Sequence, residues 1–132
     1  MADEPLAVVK RFTKALIDRD GATARSCIHP KAIFDEPLDL PFGGEHIGPD
    51  GFAEIGATIR ESLEASIQTI DVYPAGDDHA LALLHILFRS PSTREEILMP
   101  VLEFYSFEDG LISRANIFYK THENLIRLME KS

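Results

Sequence analysis

Apolar residues in the first part of the chain recur at helical spacing and then alternate as in a strand. Over residues 3–20 they fall mostly three or four positions apart: Leu6, Val9, Phe12, Leu16 and Ile17. This spacing predicts a helix with one apolar face, and Asp3 is its expected N-cap. A second, short helix is predicted over residues 22–28, because His29 precedes a proline and such residues avoid the helical conformation. Residues 32–36 are predicted to form a strand that Pro37 ends.

A third helix is predicted after a loop rich in proline and glycine. The loop spans residues 38–48, and its apolar residues Leu40 and Phe42 indicate that it covers something. From Pro49 onward, apolar residues again keep helical spacing: Phe52, Ile55, Ile59 and Leu63. Residues 66–73 alternate loosely as a strand, and the Pro, Gly and Asp residues that follow are typical of a turn.

Two apolar runs in the second half predict a central strand and a hairpin. Residues 79–89 are apolar on both faces, which is typical of a strand in the middle of a sheet. Between residues 94 and 120, two strand-like runs flank Asp109-Gly110, and glycine supplies the positive φ that a tight hairpin turn needs. Thr121 is the expected cap of a last helix. Its small apolar face consists of Leu125, Leu128 and Met129.

Glu103 interrupts an otherwise apolar face of this hairpin. Because side chains alternate along a strand, one face of the first run carries Ile97, Met99, Val101, Glu103, Tyr105 and Phe107. An ionised carboxylate among apolar neighbours is costly unless it is paired, hydrogen-bonded or protonated. Glu103 is therefore a candidate functional residue. A structural alternative places it on the outer sheet face, paired with Arg114 across the hairpin.

The composition favours one globular domain and argues against several classes of partner. The chain has 132 residues, with 22 acidic and 13 basic side chains and a net charge of −9, which repels nucleic acid and anionic membranes. A single cysteine, Cys27, excludes an internal disulfide. Asp77-Asp78-His79 is expected to be a solvated turn, so neither a metal nor a cofactor is predicted. No secretory signal or membrane-spanning run is evident, and we expect a single domain over residues 1–132 in the cytoplasm.

Four stretches together resemble one protein family. They read VVKRFTKALIDRDG at residues 8–21, IFDEP at 33–37, GGEHIGPDGF at 43–52 and VLEFYSFEDGLI at 101–112. In this order they resemble the SnoaL-like group of the nuclear-transport-factor-2-like superfamily. The resemblance implies an α+β cone, in which a strongly curved mixed or antiparallel sheet and three helices of the N-terminal half enclose a pocket. It also implies a homodimer formed through the outer face of the sheet.

The resemblance leaves two kinds of function open. The superfamily includes ketosteroid isomerases, polyketide cyclases, epoxide hydrolases and scytalone dehydratase, as well as non-catalytic modules, so the fold alone does not give the function. The first hypothesis is an isomerase or lyase that transfers protons on an apolar carbonyl compound without a cofactor. The second is a non-catalytic protein that binds an apolar small molecule or serves as a dimeric accessory module.

The ketosteroid isomerase pattern implies roles for two carboxyl groups. Glu36 falls at the position of the catalytic base, Glu103 close to the protonated acid of the oxyanion hole, and Phe12 where that pattern has a tyrosine. Two carboxyls in an apolar cavity suit proton transfer, because burial and mutual repulsion raise at least one pKa. His85 is the alternative acid or hydrogen-bond donor. Lys120 falls where the cyclase and epoxide hydrolase pattern has an aspartate, which disfavours those two chemistries.

Several candidates also have a purely structural interpretation. A carboxylate such as Glu36 at a strand end is commonly exposed or caps a turn, and a histidine such as His85 in an apolar strand is commonly a core residue with one hydrogen bond. The expected ligand-binding residues are Phe12, Leu16, Phe34, Phe42, His46, Phe52, Ile59, Asn116, Phe118 and Lys120. We also expect a second copy of the chain to cover the apolar sheet face that lies outside.

Overall fold

Four helices and six strands make up the part of the chain that the structure describes. The computed structural model describes residues 4–132, so the expected N-cap Asp3 lies outside it. The helices are α1 (Pro5–Asp18), α2 (Gly21–Ser26), α3 (Gly48–Arg60) and α4 (His122–Glu130). The strands are β1 (Ile28–Glu36), β2 (Gly44–Ile47), β3 (Glu64–Ala75), β4 (His79–Arg89), β5 (Glu96–Glu108) and β6 (Leu111–Tyr119).

The strands form one curved sheet in the order β2-β1-β6-β5-β4-β3. Strands β3 to β6 are an antiparallel meander, whereas β1 pairs in parallel with β6 and antiparallel with β2. The predicted mixed α+β fold, with three helices in the N-terminal half, is therefore confirmed. The central position of β4 and the hairpin between β5 and β6 are also as predicted.

Local differences from the prediction occur around β1. The second helix ends at Ser26, and the strand begins at Ile28, four residues earlier than predicted, with an irregularity in its pairing to β6 before Ile33. Strand β2 was not predicted, because it is only four residues long and lies inside a loop rich in proline and glycine. Its pairing with β1 holds Glu36 opposite Gly44. The end of β1 is thus fixed on both sides, by β2 and by β6.

The hairpin turn after β5 has the backbone that its sequence predicts. Asp109 and Gly110 both have positive φ, of 55° and 74°. Two successive residues with positive φ match the twist of the flanking strands. The register between β4 and β5 is continuous through Pro100, so it fixes Glu103 opposite Ala82.

Helices α1 and α3 cover the inner, concave face of the sheet. Alternate residues of β4 point to this face and are buried, among them Ala80, Ala82 and Leu84. Phe12 of α1 packs edge-on against Tyr105 of β5, with ring centroids 6.2 Å apart. The opposite residues of the sheet form the outer face. Four exposed large apolar side chains of this face lie on β3, β5 and β6, and we call them the outer apolar patch: Tyr73, Leu98, Leu102 and Phe118.

Candidate functional site

Glu36 lies at the buried end of β1, against the structural interpretation that it is exposed. The residue is only 4% exposed, and its Oε1 atom has no hydrogen-bond partner in residues 4–132. Along β1, Phe34 and Glu36 point inward while Asp35 points outward, as the alternation of a strand requires. A buried carboxyl without a partner is costly to ionise. The position therefore calls for a functional explanation or a bound polar group.

Glu103 lies on the same inner face, two strands away. It is half-buried, opposite Ala82 of β4 and Ile117 of β6. Because Asp35 pairs with Asn116, Glu36 lies one step further along, beside Ile117. Neighbouring strands in a sheet are about 4.8 Å apart. The side chains of Glu36 and Glu103 flank Ile117 from either side and are long enough to approach each other over it.

The outer-face alternative for Glu103 is wrong, because Arg114 has other partners. Its guanidinium donates to the Asp35 carboxylate at 2.9 Å and to the Glu45 carboxylate at 3.5 Å. Arg114 opposes Ser106 on β5, a residue of the outer face. This cluster holds the end of β1 against β6 from outside, and it places Glu36 on the other side of the sheet from the arginine.

Two buried tyrosines accompany the carboxyl pair. The Tyr105 hydroxyl donates a hydrogen bond to Oε1 of Glu103. Tyr119, at the end of β6, lies opposite Val101 on the inner face. Burial and the charges of Glu103 and Glu36 raise the pKa of both phenols far above their ordinary value. Both tyrosines therefore stay neutral hydrogen-bond donors beside the two glutamates.

The two carboxyl groups differ in proton affinity. Burial raises the pKa of Glu36 from 4.5 to about 9, and the charges of Glu103 and Asp35 raise it further in the same direction. Burial also raises the pKa of Glu103, but the hydrogen bond from Tyr105 opposes the rise and leaves it at about 7. At neutral pH, Glu36 is therefore protonated while Glu103 is partly ionised.

Aromatic rings pack against one another on the inner side of the sheet. The predicted ligand-binding residues Phe12, Phe34 and Phe52 are in contact, with centroids 5.3 Å apart for Phe12 and Phe52 and 5.0 Å apart for Phe34 and Phe52. Phe42 packs against Tyr119 at 6.0 Å. These four phenylalanines are in the buried interior or pack against it, and their role in ligand binding stays a prediction.

Three further candidates lie around this aromatic cluster. Leu16 and Ile59 are half-buried and pack against the core. The Nε2–H group of His46 donates to the Phe42 carbonyl oxygen at 2.8 Å, and Nδ1 of the ring lies 3.8 Å from the Glu54 carboxylate. His46 thus anchors the predicted covering loop rather than pointing at the glutamates.

Four predicted site residues are on the outer face, which corrects their expected placement in the pocket. The His85 ring hydrogen-bonds the Thr69 hydroxyl at 3.0 Å on that face. Asn116 accepts from Arg114, Phe118 is 57% exposed, and Lys120 is exposed. The physical reason is strand alternation, because Ile117 and Tyr119 point inward and their neighbours must point outward.

The residues that the sequence analysis missed are the two tyrosines. Tyr105 was detectable, since it shares a strand face with Glu103 at a spacing of two. Tyr119 lies in the consecutive pair Phe118-Tyr119, and only the β6 register decides which of these aromatic rings points inward. The resemblance directed attention to a tyrosine on α1, where this chain has Phe12. Here the hydroxyl groups come from the sheet instead.

Two clefts of the described surface lie away from the carboxyl pair. The larger has a volume of about 390 Å³ and lies between the β3–β4 turn, the β5–β6 turn and Pro5. Neither Glu36 nor Glu103 lines it. Beside it, possible metal-ligating atoms of His29, Glu108 and Asp109 lie within 4.8 Å of one another. However, Nδ1 of His29 accepts the Lys31 N–H, which leaves the hydrogen on Nε2 and disfavours coordination through that atom.

Comparison of the sequence with known protein families gives a match over most of the chain. The SnoaL-like domain family matches residues 9–115. The chain belongs to this family. No curated protein matches the sequence. None of the helices in residues 4–132 is long and apolar enough to cross a membrane.

Solved structures of the same fold cover nearly the whole chain. TerC, co-crystallised with polyporic acid, is 16% identical over 96% of this chain and 98% of its own, with a TM-score of 0.82. A nuclear-transport-factor-2-like protein of unknown function from Burkholderia pseudomallei is 14% identical over 96% and 98%, also with a TM-score of 0.82. A proposed polyketide cyclase from Pseudomonas putida is 14% identical over 97% and 99%, with a TM-score of 0.78. At these identities the likeness establishes the fold.

Proposed function

We propose that this SnoaL-like chain binds an apolar carbonyl compound inside the cone and transfers protons on it without a cofactor. The observation that carries the proposal is the carboxyl pair on the inner face, in which Oε1 of Glu36 has no hydrogen-bond partner in residues 4–132 and the two pKa values lie well apart. Two titratable groups with separated pKa values supply an acid and a base at one pH. Several neighbours of the fold support a small-molecule ligand, since TerC was crystallised with one and another is a proposed cyclase.

The isomerase pattern implies that Glu36 is the base and Glu103 the protonated acid. The pKa values of the two groups favour the opposite assignment. Glu103 has the lower pKa, of about 7, so its carboxylate is the base that removes a proton from the carbon next to the carbonyl. Glu36 remains protonated and donates to the carbonyl oxygen, where negative charge develops. Return of the proton from Glu103 to a different carbon gives the isomer and restores the base. The Tyr105 hydroxyl holds the carboxylate of Glu103 in place.

Deuterium exchange tests the proposal without knowledge of the natural substrate. The protein is incubated in D₂O with a panel of aryl ketones, cyclic ketones and enones, and exchange at the carbon next to the carbonyl is followed by NMR. Glu103→Gln and Glu36→Gln are each expected to lower the exchange rate by about 10²- to 10⁴-fold. Glu96→Gln, which changes an exposed glutamate of the same strand, is the matched control and should exchange at the wild-type rate.

The expected rate also depends on pH. Exchange should rise as Glu103 loses its proton near pH 7 and fall as Glu36 loses its proton near pH 9. Wild-type rates in both glutamine variants would rule out the carboxyl pair as the proton-transfer site.

A second candidate function is a non-catalytic binding or accessory module. The packing of Phe12, Phe34 and Phe52 favours it, because the rings occupy the interior and the larger cleft lies elsewhere. In this case a ketone shifts NMR signals of interior residues but no exchange occurs. In either function, we propose that two copies pair through the outer apolar patch.

A further inference from the structure

Within residues 4–132, neither carboxyl group of the pair forms an ion pair. The ion pairs of these residues include neither Glu36 nor Glu103. Arg114 is bound to Asp35 on the outer face of the sheet. The charges that act on Glu36, those of Glu103 and Asp35, are both negative. The interior is therefore suited to a positive charge that these residues do not themselves supply.

The two carboxyl groups also have open hydrogen-bond acceptor sites. Glu36 is 4% exposed, and its Oε1 atom has no hydrogen-bond partner in residues 4–132. Glu103 accepts one hydrogen bond within these residues, from the Tyr105 hydroxyl, whereas a carboxylate has about four acceptor sites. Glu103 is half-buried on the inner face, so a group of the size of water reaches it. Because buried polar atoms almost always have partners, a bound group that carries hydrogen-bond donors would complete the pair.

A continuous row of aromatic rings adjoins both carboxyl groups. Phe34 lies two residues before Glu36 on the same face of β1, and its ring is 5.0 Å from that of Phe52. The ring of Phe12 is 5.3 Å from Phe52 and 6.2 Å from Tyr105, which donates to the second carboxyl of the pair. The faces of aromatic rings attract cations within about 6 Å. The rings therefore favour a cation that also has apolar surface.

We propose that the carboxyl pair binds an apolar organic amine in its protonated, ammonium form. The ammonium group of a primary amine has three donors and no acceptor, which suits the open sites of Glu36 and Glu103. Its charge is attracted to the carboxylate and to the ring faces, and its apolar part contacts the same rings. A calcium or magnesium ion would instead need about six or more oxygen ligands, and phenylalanine rings offer none. This inference goes beyond the proposed reaction, because it needs the carboxyl pair but no proton transfer on a carbon atom.

Benzylammonium and benzyl alcohol are suitable probes, because they have nearly the same shape and differ in charge. Dissociation constants are measured for the full chain by NMR titration, followed at Ala82 and Ile117, which lie opposite Glu103. At about pH 8, benzylammonium should bind about ten- to a hundredfold more tightly than benzyl alcohol, the range expected for hydrogen bonds to a charged group. Salt at about 0.15 M screens the general attraction of cations to a chain of net charge −9.

The affinity for benzylammonium should also depend on pH. The pKa of Glu103 is about 7, so its carboxyl is mostly protonated at about pH 6 and mostly ionised at about pH 8. The other titratable groups around it, Glu36, Tyr105 and Tyr119, keep their protons over this range. Because the ammonium ion binds the ionised form, its affinity should rise about tenfold, whereas that of benzyl alcohol should not. Calorimetry at about pH 7 in buffers of different ionisation enthalpy should detect release of about half a proton on binding.

Two variants of β5 separate the charge of the site from the charge of the chain. Glu103→Gln keeps the size of the side chain and should remove the preference for benzylammonium, its pH dependence and the proton release. Glu96→Gln removes one negative charge from the exposed start of the same strand and should behave as wild type. The inference is wrong if Glu103→Gln keeps the preference and the pH dependence. It is also wrong if the wild-type protein binds both probes equally at about pH 8.

The remaining outcomes distinguish this inference from the proposed reaction. If benzylammonium binds as expected but no ketone of the panel exchanges deuterium, the ammonium site holds and proton transfer fails. If ketones exchange but benzylammonium has no advantage over benzyl alcohol, proton transfer holds and the ammonium site fails. If neither probe nor any ketone perturbs the signals of interior residues, the pocket itself is contradicted, and both proposals fall together.

Discussion

Glu36 destabilises the folded chain when it is ionised, because its carboxyl group is buried and its Oε1 atom has no hydrogen-bond partner among the described residues. Its pKa in the folded protein is about 9, against an ordinary value of 4.5. A group whose pKa is raised by folding contributes its full stability below the ordinary pKa and loses it as the pH rises through the folded pKa. The free energy of unfolding should therefore fall as the solution becomes alkaline.

Substitution of Glu36 by glutamine tests this linkage. Between about pH 7 and pH 9, the wild-type free energy of unfolding should fall by about 2 to 3 kcal/mol through this group, since each pH unit corresponds to about 1.4 kcal/mol. In Glu36→Gln the side chain has no proton to lose, so this part of the decline should disappear. Urea unfolding at each pH measures it, with Glu96→Gln as the control. Equal slopes in wild type and Glu36→Gln would mean that Glu36 is already ionised in the folded protein.

The loop between β1 and β2 is the element that closes the region of Glu36. Residues 37–43 follow Glu36 directly, and the Leu40 and Gly43 N–H groups donate to carbonyls within the same loop. A Cβ atom at Gly43 would lie 2.3 Å from the Pro37 carbonyl oxygen, so only glycine permits this closed shape. The loop contacts α4 through one side-chain pair, in which Nδ1 of His122 lies 2.9 Å from Oδ1 of the Asp39 carboxylate.

Loss of the contact between His122 and Asp39 should loosen the loop without unfolding the chain. In His122→Gln, we expect amide hydrogen exchange of Leu40 and Gly43 to accelerate roughly two- to fivefold, because an exposed pair contributes about 0.5 to 1 kcal/mol. Lys131→Gln removes a comparable pair with Glu95 at the other end of α4 and serves as the control. If both variants exchange at the wild-type rate, the contact between His122 and Asp39 does not hold the loop closed.

The elements were largely predictable because each follows from a local pattern. Asp109-Gly110 defines the hairpin turn, and the alternation around Glu103 places that carboxyl on the same face as Tyr105. The inner and outer faces of β4 were not distinguishable, since both are apolar in sequence. The position of His85 therefore depended on tertiary packing.

The relation between Glu36 and Glu103 was suggested by resemblance and not by spacing. It depends on the parallel pairing of β1 with β6, two strands at opposite ends of the chain. Local periodicity does not encode such a long-range register. For the same reason, the inward direction of Tyr119 was recognisable only once that register was known.

The outer face of the sheet carries the main exposed apolar surface of the strands. Leu102 and Phe118 are opposite each other on β5 and β6 and are 39% and 57% exposed. A net charge of −9 keeps copies of the chain apart in general. Association is therefore expected where apolar area is concentrated and charge is sparse.

We expect a dimer in sedimentation velocity at micromolar concentration. Phe118→Asp should yield a monomer, because it places a charge in the outer apolar patch, directly opposite Leu102. Leu38→Asp is the matched control, since Leu38 is the most exposed of the large apolar residues but lies on the loop after β1. A monomeric wild-type protein would contradict the proposed pairing, and a dimeric Phe118→Asp variant would locate the interface elsewhere.

The parallel pairing of β1 with β6 also constrains the order in which the chain folds. The meander from β3 to β6 joins neighbours in sequence, whereas β1 must find a partner across most of the chain, and contacts of large sequence separation form slowly. The carboxyl group of Glu36 is consequently desolvated when β1 pairs with β6. Ionisation of Glu36 should therefore slow the pairing of β1 with β6. We expect the refolding rate to decrease as the pH approaches 9. A refolding rate that does not change with pH would place the burial of Glu36 after the rate-limiting step.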